Sequence, residues 1–357
     1  MKTDYDVVVV GAGPVGSKTA ELLARNNTNV LLIEEHEKIG IPIQCTGINS
    51  HRILQLSEAS KKIIVNQVNT ARFYSSDGNY LQLKSKKPVY VIDRSKLDKE
   101  IADRAKKAGA DILTSTKFLN FTRLKDYLRI ETNRGKIDTK ILIGADGPNS
   151  SVAKASGIRQ PSEYVIGYQE TIKDDFSDNI VEMWFGKKIT PDFFAWVVPE
   201  NKKWARVGIA AKSNVIQYYR NFIKNRFGEI EKKHILGGII RYGLIETSVA
   251  DNVLLVGDAT CQVKPYSGGG VIYGLICSRF AANACLKSLN EKKFNKKFLE
   301  ENYDKKWKEK LGPAINKGMM LHRMLHSLPD WALSLSVTLF KPFSSILNNL
   351  DMDLISD

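Results

Sequence analysis

The sequence predicts an α/β protein: a mostly parallel sheet gathered from separated stretches of chain, an inserted antiparallel sheet, and helices at the C-terminal end. Three observations predict it. A β-branched run, Asp6-Val-Val-Val-Val10, leads straight into glycines. Two later apolar runs, Ile141-Leu-Ile143 and Val253-Leu-Leu-Val256, each stop at a glycine followed closely by an aspartate. Between those runs, residues 163–211 read as successive short strands with the alternation of a half-buried sheet.

The first run is followed by Gly11-Ala-Gly13-Pro14-Val15-Gly16, then a helix through Ala20, Leu22, Leu23 and Ala24. A second buried strand, Val30-Leu-Leu-Ile33, closes on Glu34. This is a Rossmann-type βαβ unit. Gly11 permits the tight turn, Gly13 lets a pyrophosphate approach the backbone, and Gly16 lets helix and strand pack closely. Phosphates then sit at the helix N-terminus, where free N–H groups favour anions. Glu34 can accept hydrogen bonds from a ribose diol.

A loop, 40–47, comes next, and residues 66–92 are β-rich with a turn at Asp77-Gly78. From Asp93 to Ala110 a helix is expected, with Leu97, Ile101, Ala105 and Ala108 on one face and Gly109 as its stop. Residues 111–145 alternate in short strands. The antiparallel part takes Val165 to Thr171, Ile180 to Phe185, Phe193 to Val198 and Ala205 to Ala210. Residues 214–236 read as helical, and Gly268-Gly269-Gly270 opens a long apolar helix to about Leu289. The lysine-rich stretch 287–310 reads as a solvated helix.

With 357 residues, 43% of them hydrophobic, the chain can build one large domain with an insertion, or two domains. Lys plus Arg is 53 against 39 for Asp plus Glu, a formal charge of +14. That balance suits an anionic partner: a phospholipid, a phosphorylated substrate or an acidic redox protein. No nucleic-acid motif accompanies the charge, so nucleic acid is not expected. Cys45, Cys261, Cys277 and Cys285 form no CxxC pair and no His cluster joins them, so no metal site is expected and a reducing, cytoplasmic setting fits. No signal-like segment precedes Val7–Val10, and neither that run nor Trp331–Phe340 is long enough to span a membrane. The second, held between Pro329 and Pro342, reads as a buried helix or turn in preference to a membrane-surface contact.

Asp146 with Gly147, in Gly144-Ala-Asp-Gly147, and Asp258, in Gly257-Asp-Ala259, stand at the carboxyl ends of buried strands, where α/β sheets bind ligands. Pro265-x-x-Gly268-Gly269-Gly270 lies behind the second. In this order the three motifs resemble the FAD-binding fold of p-hydroxybenzoate hydroxylase and its relatives, across most of residues 4–290. The resemblance implies FAD, with Gly257-Asp258 on the ribityl chain and the glycine run against flavin and pyrophosphate.

Within that group the chain is similar to the geranylgeranyl reductase family, the digeranylgeranylglycerophospholipid reductase-like flavoproteins. These saturate isoprenoid double bonds in archaeal lipids and chlorophyll precursors. Gln44-Cys45-Thr46-Gly47 looks like the family's cysteine loop, and Asp93-Arg94-x-x-Leu97-Asp98 like its arginine-led helix. Phe194-x-Trp196-x-x-Pro199 looks like its Tyr-x-Trp-x-Phe-Pro substrate motif, with Phe194 in place of Tyr and Val198 in place of Phe. The likeness implies FAD contacts from Cys45, Thr46, Ile48, Arg94, Pro265 and Val271, and a place for Tyr266 near the flavin. It implies an FAD-binding domain of residues 1–65, 88–160 and 245–290, a substrate or cap domain of 66–87 and 161–244, and a C-terminal helical region, 291–357.

The implied activity is FAD-dependent saturation of geranylgeranyl chains on a membrane-lipid precursor, with a phosphorylated isoprenoid lipid as substrate and ferredoxin or NAD(P)H as electron donor. The protein would be cytoplasmic, peripheral on the cytoplasmic face of the membrane. An isolated alkene has no carbonyl to stabilise a carbanion, so hydride delivery needs a proton at the other carbon. Cys45 is the candidate donor; it can equally tune or gate the flavin while water donates, or pack as a small hydrophobe. Trp184, Phe193, Phe194 and Trp196 pave an apolar tunnel or serve as the core of the inserted sheet. The alternative is an FAD monooxygenase, hydroxylase or halogenase, since Trp196-x-x-Pro199 is partly like a halogenase pattern. A third is a flavin-bound electron-transfer or lipid-binding protein without turnover.

Overall fold

In the computed structural model, which describes residues 3–344, 348 and 351–355, the strands form two sheets of eight strands each among the described residues. The first sheet takes β1 (Tyr5–Val10), β2 (Val30–Ile33), β6 (Asp111–Leu113), β7 (Phe118–Arg123), β8 (Leu128–Thr132), β9 (Gly135–Gly144), β15 (Val249–Ala250) and β16 (Val253–Leu255). Its main path runs β15-β16-β9-β1-β2-β6, with β1, β2, β6, β9 and β16 parallel. Strands buried on both faces read as continuous apolar runs, and Val7 to Val9, Leu31 to Ile33 and Ile141 to Ile143 are fully or almost fully shielded. Each such side chain contributes about 1.5–3 kcal/mol of burial.

Helix α1 (Pro14–Ala24) packs against both α3 (Arg94–Lys107) and α6 (Val271–Glu291) beside this sheet. A Cβ on Gly16 would strike the Gly11 carbonyl, so the third glycine of the motif sets the helix–strand distance. Glu21 of α1 is fully buried and matched by Lys18 Nζ at 3.1 Å and Arg104 Nε at 3.0 Å, which ties α1 to α3.

The second sheet takes β3 (Ile48–Ser50), β4 (Ile64–Tyr74), β5 (Tyr80–Ile92), β10 (Tyr164–Lys173), β11 (Ile180–Trp184), β12 (Ala195–Pro199), β13 (Trp204–Ala211) and β14 (Lys232–Arg241), in the order β14-β10-β13-β12-β11-β4-β5-β3. It therefore includes 48–50 and 88–92, beyond the stretches the sequence suggests for it. Its two faces follow the period of two. Trp196 and Val198 join Phe193, Phe194 and Tyr242 on one face, while Ala195 and Val197 join the residues under α5 (Val215–Arg226) on the other. The remaining α-helices among the described residues are α2 (Arg52–Ser57), α4 (Ser151–Ser156), α7 (Lys296–Leu299), α8 (Lys305–Ser327) and α9 (Asp330–Phe340).

Three sequence expectations are corrected. The helix expected over 214–236 ends at Arg226, and Lys232–Arg241 is the edge strand β14. Gly237-Gly238 followed by Ile239-Ile240 disfavours a helix and suits a strand. Trp184 does not share a face with Trp196: it stacks on Tyr74 at 4.0 Å and lies in the cluster beneath α5. The run Trp331–Phe340 is helical but not buried, and Trp331 is 71% exposed.

Candidate functional site

A cleft of about 740 Å³ opens at the carboxyl ends of β1, β9 and β16. Its floor is the first sheet, and Ile166, Gly238 and Ile239 of the second sheet face it from across the gap. Three distant motifs meet there. Gly11, Gly13, Pro14 and Val15 line it from the first; Asp146 and Gly147 from the second; Asp258, Gly270 and Val271 from the third. Glu34 and Arg94 complete the expected set within the cleft. Asp98 of the arginine-led helix, Asn149 and the 41–43 part of the 40–47 loop line it too, beyond the cofactor residues the sequence suggests.

The turn at Gly11 has φ +99°, and a Cβ there would lie 2.5 Å from the Ala145 carbonyl oxygen, so the first two motifs touch. Gly13 faces open space, with nothing within 4 Å of where a Cβ would project. It also caps α1 without a side-chain hydrogen bond, and no acidic residue occupies the first turn. The N–H groups at the start of α1 therefore point into the cleft without a carboxylate to quench them. Glu34 Oε2 accepts the Ala12 N–H at 2.8 Å, and Oε1 lies 2.6 Å from His36 Nδ1.

Asp146 Oδ1 accepts from Ser150 Oγ at 2.6 Å and Oδ2 from the Val152 N–H at 3.1 Å, so it fixes the loop entering α4. Burial raises its carboxyl above the ordinary range. Asp258 stands exposed to the cleft and surrounded by protein, which raises its carboxyl as well. Gly270 leaves room for that carboxylate: a Cβ on Gly270 would collide with Asp258 Oδ1.

Arg94, at the start of α3, pairs with Asp98 through two contacts of 3.1 Å. Burial opposes the guanidinium charge, but Asp98 and the neighbouring Cys45 outweigh it and hold Arg94 above its ordinary range. The arginine-led helix and the cysteine loop are thus in contact. Cys45 is half-buried, and its Sγ accepts the Gly47 N–H at 3.3 Å. Cys261, Cys277 and Cys285 are buried, and burial pushes all three thiols up.

The cysteine loop also reaches the aromatic strand. Thr46 Oγ1 donates to Gln169 Oε1 at 2.7 Å, and Trp196 Nε1 donates to the same oxygen at 2.9 Å. Both donors fix the amide's orientation, so Gln169 Nε2 points elsewhere and has no partner although the residue is 4% exposed. No sequence motif marks Gln169. Gly208 makes space for the Trp196 indole, which packs against its backbone. Phe194 stacks with Phe193 at 4.5 Å and meets Trp196 edge-on at 5.9 Å, and Pro199 closes the strand. Phe193 in turn lies 3.5 Å from where a Gly268 Cβ would be, which sets the aromatic strand beside the glycine run. Cys45, Thr46, Ile48, Pro265, Gly268 and Gly269 lie around this arrangement without lining the cleft itself, and Gly16 lies behind the cleft, against Gly11 and Ala145.

On α8, His326 stacks on Phe193 and His322 lies tilted beside it, with His322 Nε2 3.2 Å from the Tyr242 hydroxyl. Burial lowers His322 and pushes His326 down to about 4. Tyr266 does not line the cleft: its hydroxyl donates to the Met352 carbonyl at 2.6 Å. The segment 351–355 crosses here as a strap. Asp353, fully buried, accepts from Lys264 Nζ at 2.9 Å, Ser50 Oγ at 2.6 Å and Arg52 Nη1 at 3.1 Å, and its carbonyl accepts from Tyr273 at 2.6 Å. It thereby joins the strand after the cysteine loop to the segment before the glycine run.

A family described as the FAD binding domain matches residues 4–220. A digeranylgeranylglycerophospholipid reductase of Methanocaldococcus jannaschii is 30% identical over 349 residues, which is 91% of this chain and 88% of that one. The chain belongs to the geranylgeranyl reductase family of FAD flavoproteins. An uncharacterized protein of the same organism is 33% identical over 341 residues, covering 92% of this chain and 86% of its own length. Among solved structures, a geranylgeranyl bacteriochlorophyll reductase-like protein from Thermoplasma acidophilum superposes with a TM-score of 0.86 and 25% identity, over 99% of this chain and 93% of that one. The cleft of this geranylgeranyl reductase family member fits FAD: it is large enough for a dinucleotide, begins at an uncapped helix N-terminus, and has glycines where side chains would fill it.

Proposed function

We propose that the protein is an FAD-dependent reductase that saturates isoprenoid double bonds of a membrane-lipid precursor. The observation that carries this reading is the Thr46–Gln169–Trp196 junction, which joins the cysteine loop to the aromatic strand beside the FAD cleft. The reductase relatives, similar along nine-tenths of the chain, support the same substrate class.

In this reading the first turn of α1, with Gly11, Gly13, Pro14 and Val15, holds the pyrophosphate and Glu34 the ribose. Asp258 and Gly257 take the ribityl hydroxyls, while Gly268 to Val271 and Thr46 to Ile48 flank the flavin. Reduced FAD, when bound, supplies a hydride. Saturation breaks one π bond and makes two C–H bonds, one from that hydride and one from a proton. We assign the proton to the Cys45 thiol. A sulfur that gives up its proton beside Arg94 faces a guanidinium, so donation creates an ion pair rather than an isolated charge. The packed rings of Phe193, Phe194 and Trp196 keep water from the alkene side.

The reductant in this reading is ferredoxin or NAD(P)H, and the +14 charge favours an acidic protein donor. The same charge suits a phosphorylated lipid at the cytoplasmic face of a membrane. No helix among the described residues is long and apolar enough to cross one.

The test is anaerobic. The yellow protein is reduced with dithionite and mixed with digeranylgeranylglyceryl phosphate, and flavin reoxidation is recorded with the lipid's mass. Reoxidation with a gain of two hydrogens per double bond establishes the reductase. A flavin that stays reduced with lipid and reoxidises only in air, with an oxygenated product, establishes the monooxygenase instead.

A further inference from the structure

Helix α9 is oriented against its own polarity. Its polar residues are the ones bound to the protein body. Asp330 accepts the Lys187 N–H at 2.6 Å and the Ser76 hydroxyl at 2.8 Å, Ser334 Oγ donates to Asp77 at 2.5 Å, and Thr338 Oγ1 accepts from Asn79 at 2.7 Å. Leu333 is the residue of α9 that enters the core. The neighbouring line of the helix, Trp331, Leu335 and Leu339 at intervals of four, is 71%, 50% and 60% exposed, and Phe340 and Phe343 continue it at 53% and 54%. A surface helix in water shows the reverse arrangement. Five large apolar side chains on one short segment are more than the scattered single exposures of an ordinary surface.

The surroundings of this line are basic. Strand β5, on which α9 packs, exposes Lys84, Lys86 and Lys87. The segment that caps α9 at Asp330 exposes Lys187 and Lys188, and Lys341 follows the helix. The carboxylates of Asp77 and Asp330 are already taken up in the hydrogen bonds that fasten the helix.

We infer that the Trp331-Leu335-Leu339-Phe340-Phe343 face, with its lysine rim, docks the protein on an anionic lipid bilayer. Apolar side chains enter the acyl boundary, the indole of Trp331 sits at headgroup level, and the lysines meet lipid phosphates. Charge selects this occupant over a second copy of the chain. A twofold contact through the same patch would set the lysine rim of one copy against that of the other. The inference deepens the membrane-surface part of the proposed function and rests on that reading only for its biological use. The test below contains no isoprenoid substrate, so its failure leaves the reductase reading standing, and the reverse holds too.

The full chain, loaded with FAD, is floated with vesicles of phosphatidylcholine alone or mixed in equal parts with phosphatidylglycerol. The expected result is co-flotation with the anionic vesicles and a blue-shifted tryptophan emission. Leu335→Asp with Leu339→Asp should weaken vesicle binding by about tenfold or more. Lys86→Glu with Lys87→Glu should weaken it and reduce its salt dependence. Retention of FAD shows that each variant is folded. Undiminished flotation of the Leu335→Asp, Leu339→Asp variant overturns the inference. So does wild-type protein that ignores anionic vesicles but sediments as a dimer which that variant dissociates.

Discussion

Lys264 Nζ and Asp353 Oδ1 meet at 2.9 Å in the protein interior, 89 residues apart in the chain. Removing one partner of such a pair leaves the other charge stranded, so Asp353→Ala should cost about 3–5 kcal/mol. Urea unfolding followed by circular dichroism measures it. Replacing both partners, Lys264→Met with Asp353→Leu, should recover most of the loss, because no lysine charge is then stranded and Arg52 keeps Asp351 at 2.8 Å. A loss that the double variant does not recover would show that the strap acts through its shape rather than through this pair. The pair also carries a pH dependence. Burial alone would raise the Asp353 carboxyl, but Lys264, Ser50 and Arg52 hold it below the ordinary range. Its contribution is therefore complete above the ordinary carboxylate pKa and is lost as pH falls through the folded-state value.

Gly270 tests the cleft. A Cβ there collides with Asp258 Oδ1, so the carboxylate has to shift from its place in the cleft. Gly270→Ala should weaken FAD binding by about tenfold or more, roughly 1.4 kcal/mol, with little change in the apoprotein's fold. Titration of apoprotein with FAD, read by flavin fluorescence, gives the number. An unchanged affinity would mean that Asp258 does not face the cofactor.

Cys45 tests the proton assignment. Cys45→Ser should keep FAD, since the residue borders the cleft without lining it. Turnover should fall by about a hundredfold, at the lower end of what a lost general acid removes. The measurement is single-turnover reoxidation of the reduced protein with lipid. Full activity would remove Cys45 from the mechanism and leave water or another group as donor.

His326 should contribute to the loss of stability at mildly acid pH. Burial among Phe185, Phe193 and His322 pushes it down to about 4 from the ordinary 6.5. The folded state then binds fewer protons than the unfolded state between those values. Stability from keeping this ring neutral is complete above pH 6.5 and is lost as pH falls toward 4, a change of roughly 3 kcal/mol. Denaturation midpoints of wild type and His326→Leu across this window check it: the variant's profile should be flatter. Equal slopes would place the acid sensitivity elsewhere.

The cofactor half of the site was legible because its chemistry demands unusual residues at fixed places. Gly11 needs positive φ, Gly16 and Gly270 need missing side chains, and each leaves a visible mark in the sequence. The cysteine loop and the aromatic strand were legible as segments, but their junction was not. Gln169 is an ordinary strand residue, and only the fold sets it between Thr46 and Trp196. Hydropathy misled at Trp331–Phe340, since an apolar run records what a segment prefers and not what faces it. The stretch 232–241 misled differently: the helix before it ran out at Arg226, and the edge strand began with polar residues that carry no strand period. Asp353 had no signal, because a single carboxylate matters only once Lys264, Ser50 and Arg52 have been gathered around it.

The bond between Ser50 and Asp353 spans 303 residues. During translation the cysteine loop leaves the ribosome well ahead of the segment that locks it. A nascent chain can therefore form β1, α1 and β2 long before the Ser50 strand and the Lys264 segment are clasped together. Transcripts cut short before codon 353 would yield a protein with three glycine motifs and an unlatched flavin side. The strap thus clasps two segments that the chain delivers far apart in time, and the Ser50 strand and the Lys264 segment stay unjoined by it until residue 353 has been made.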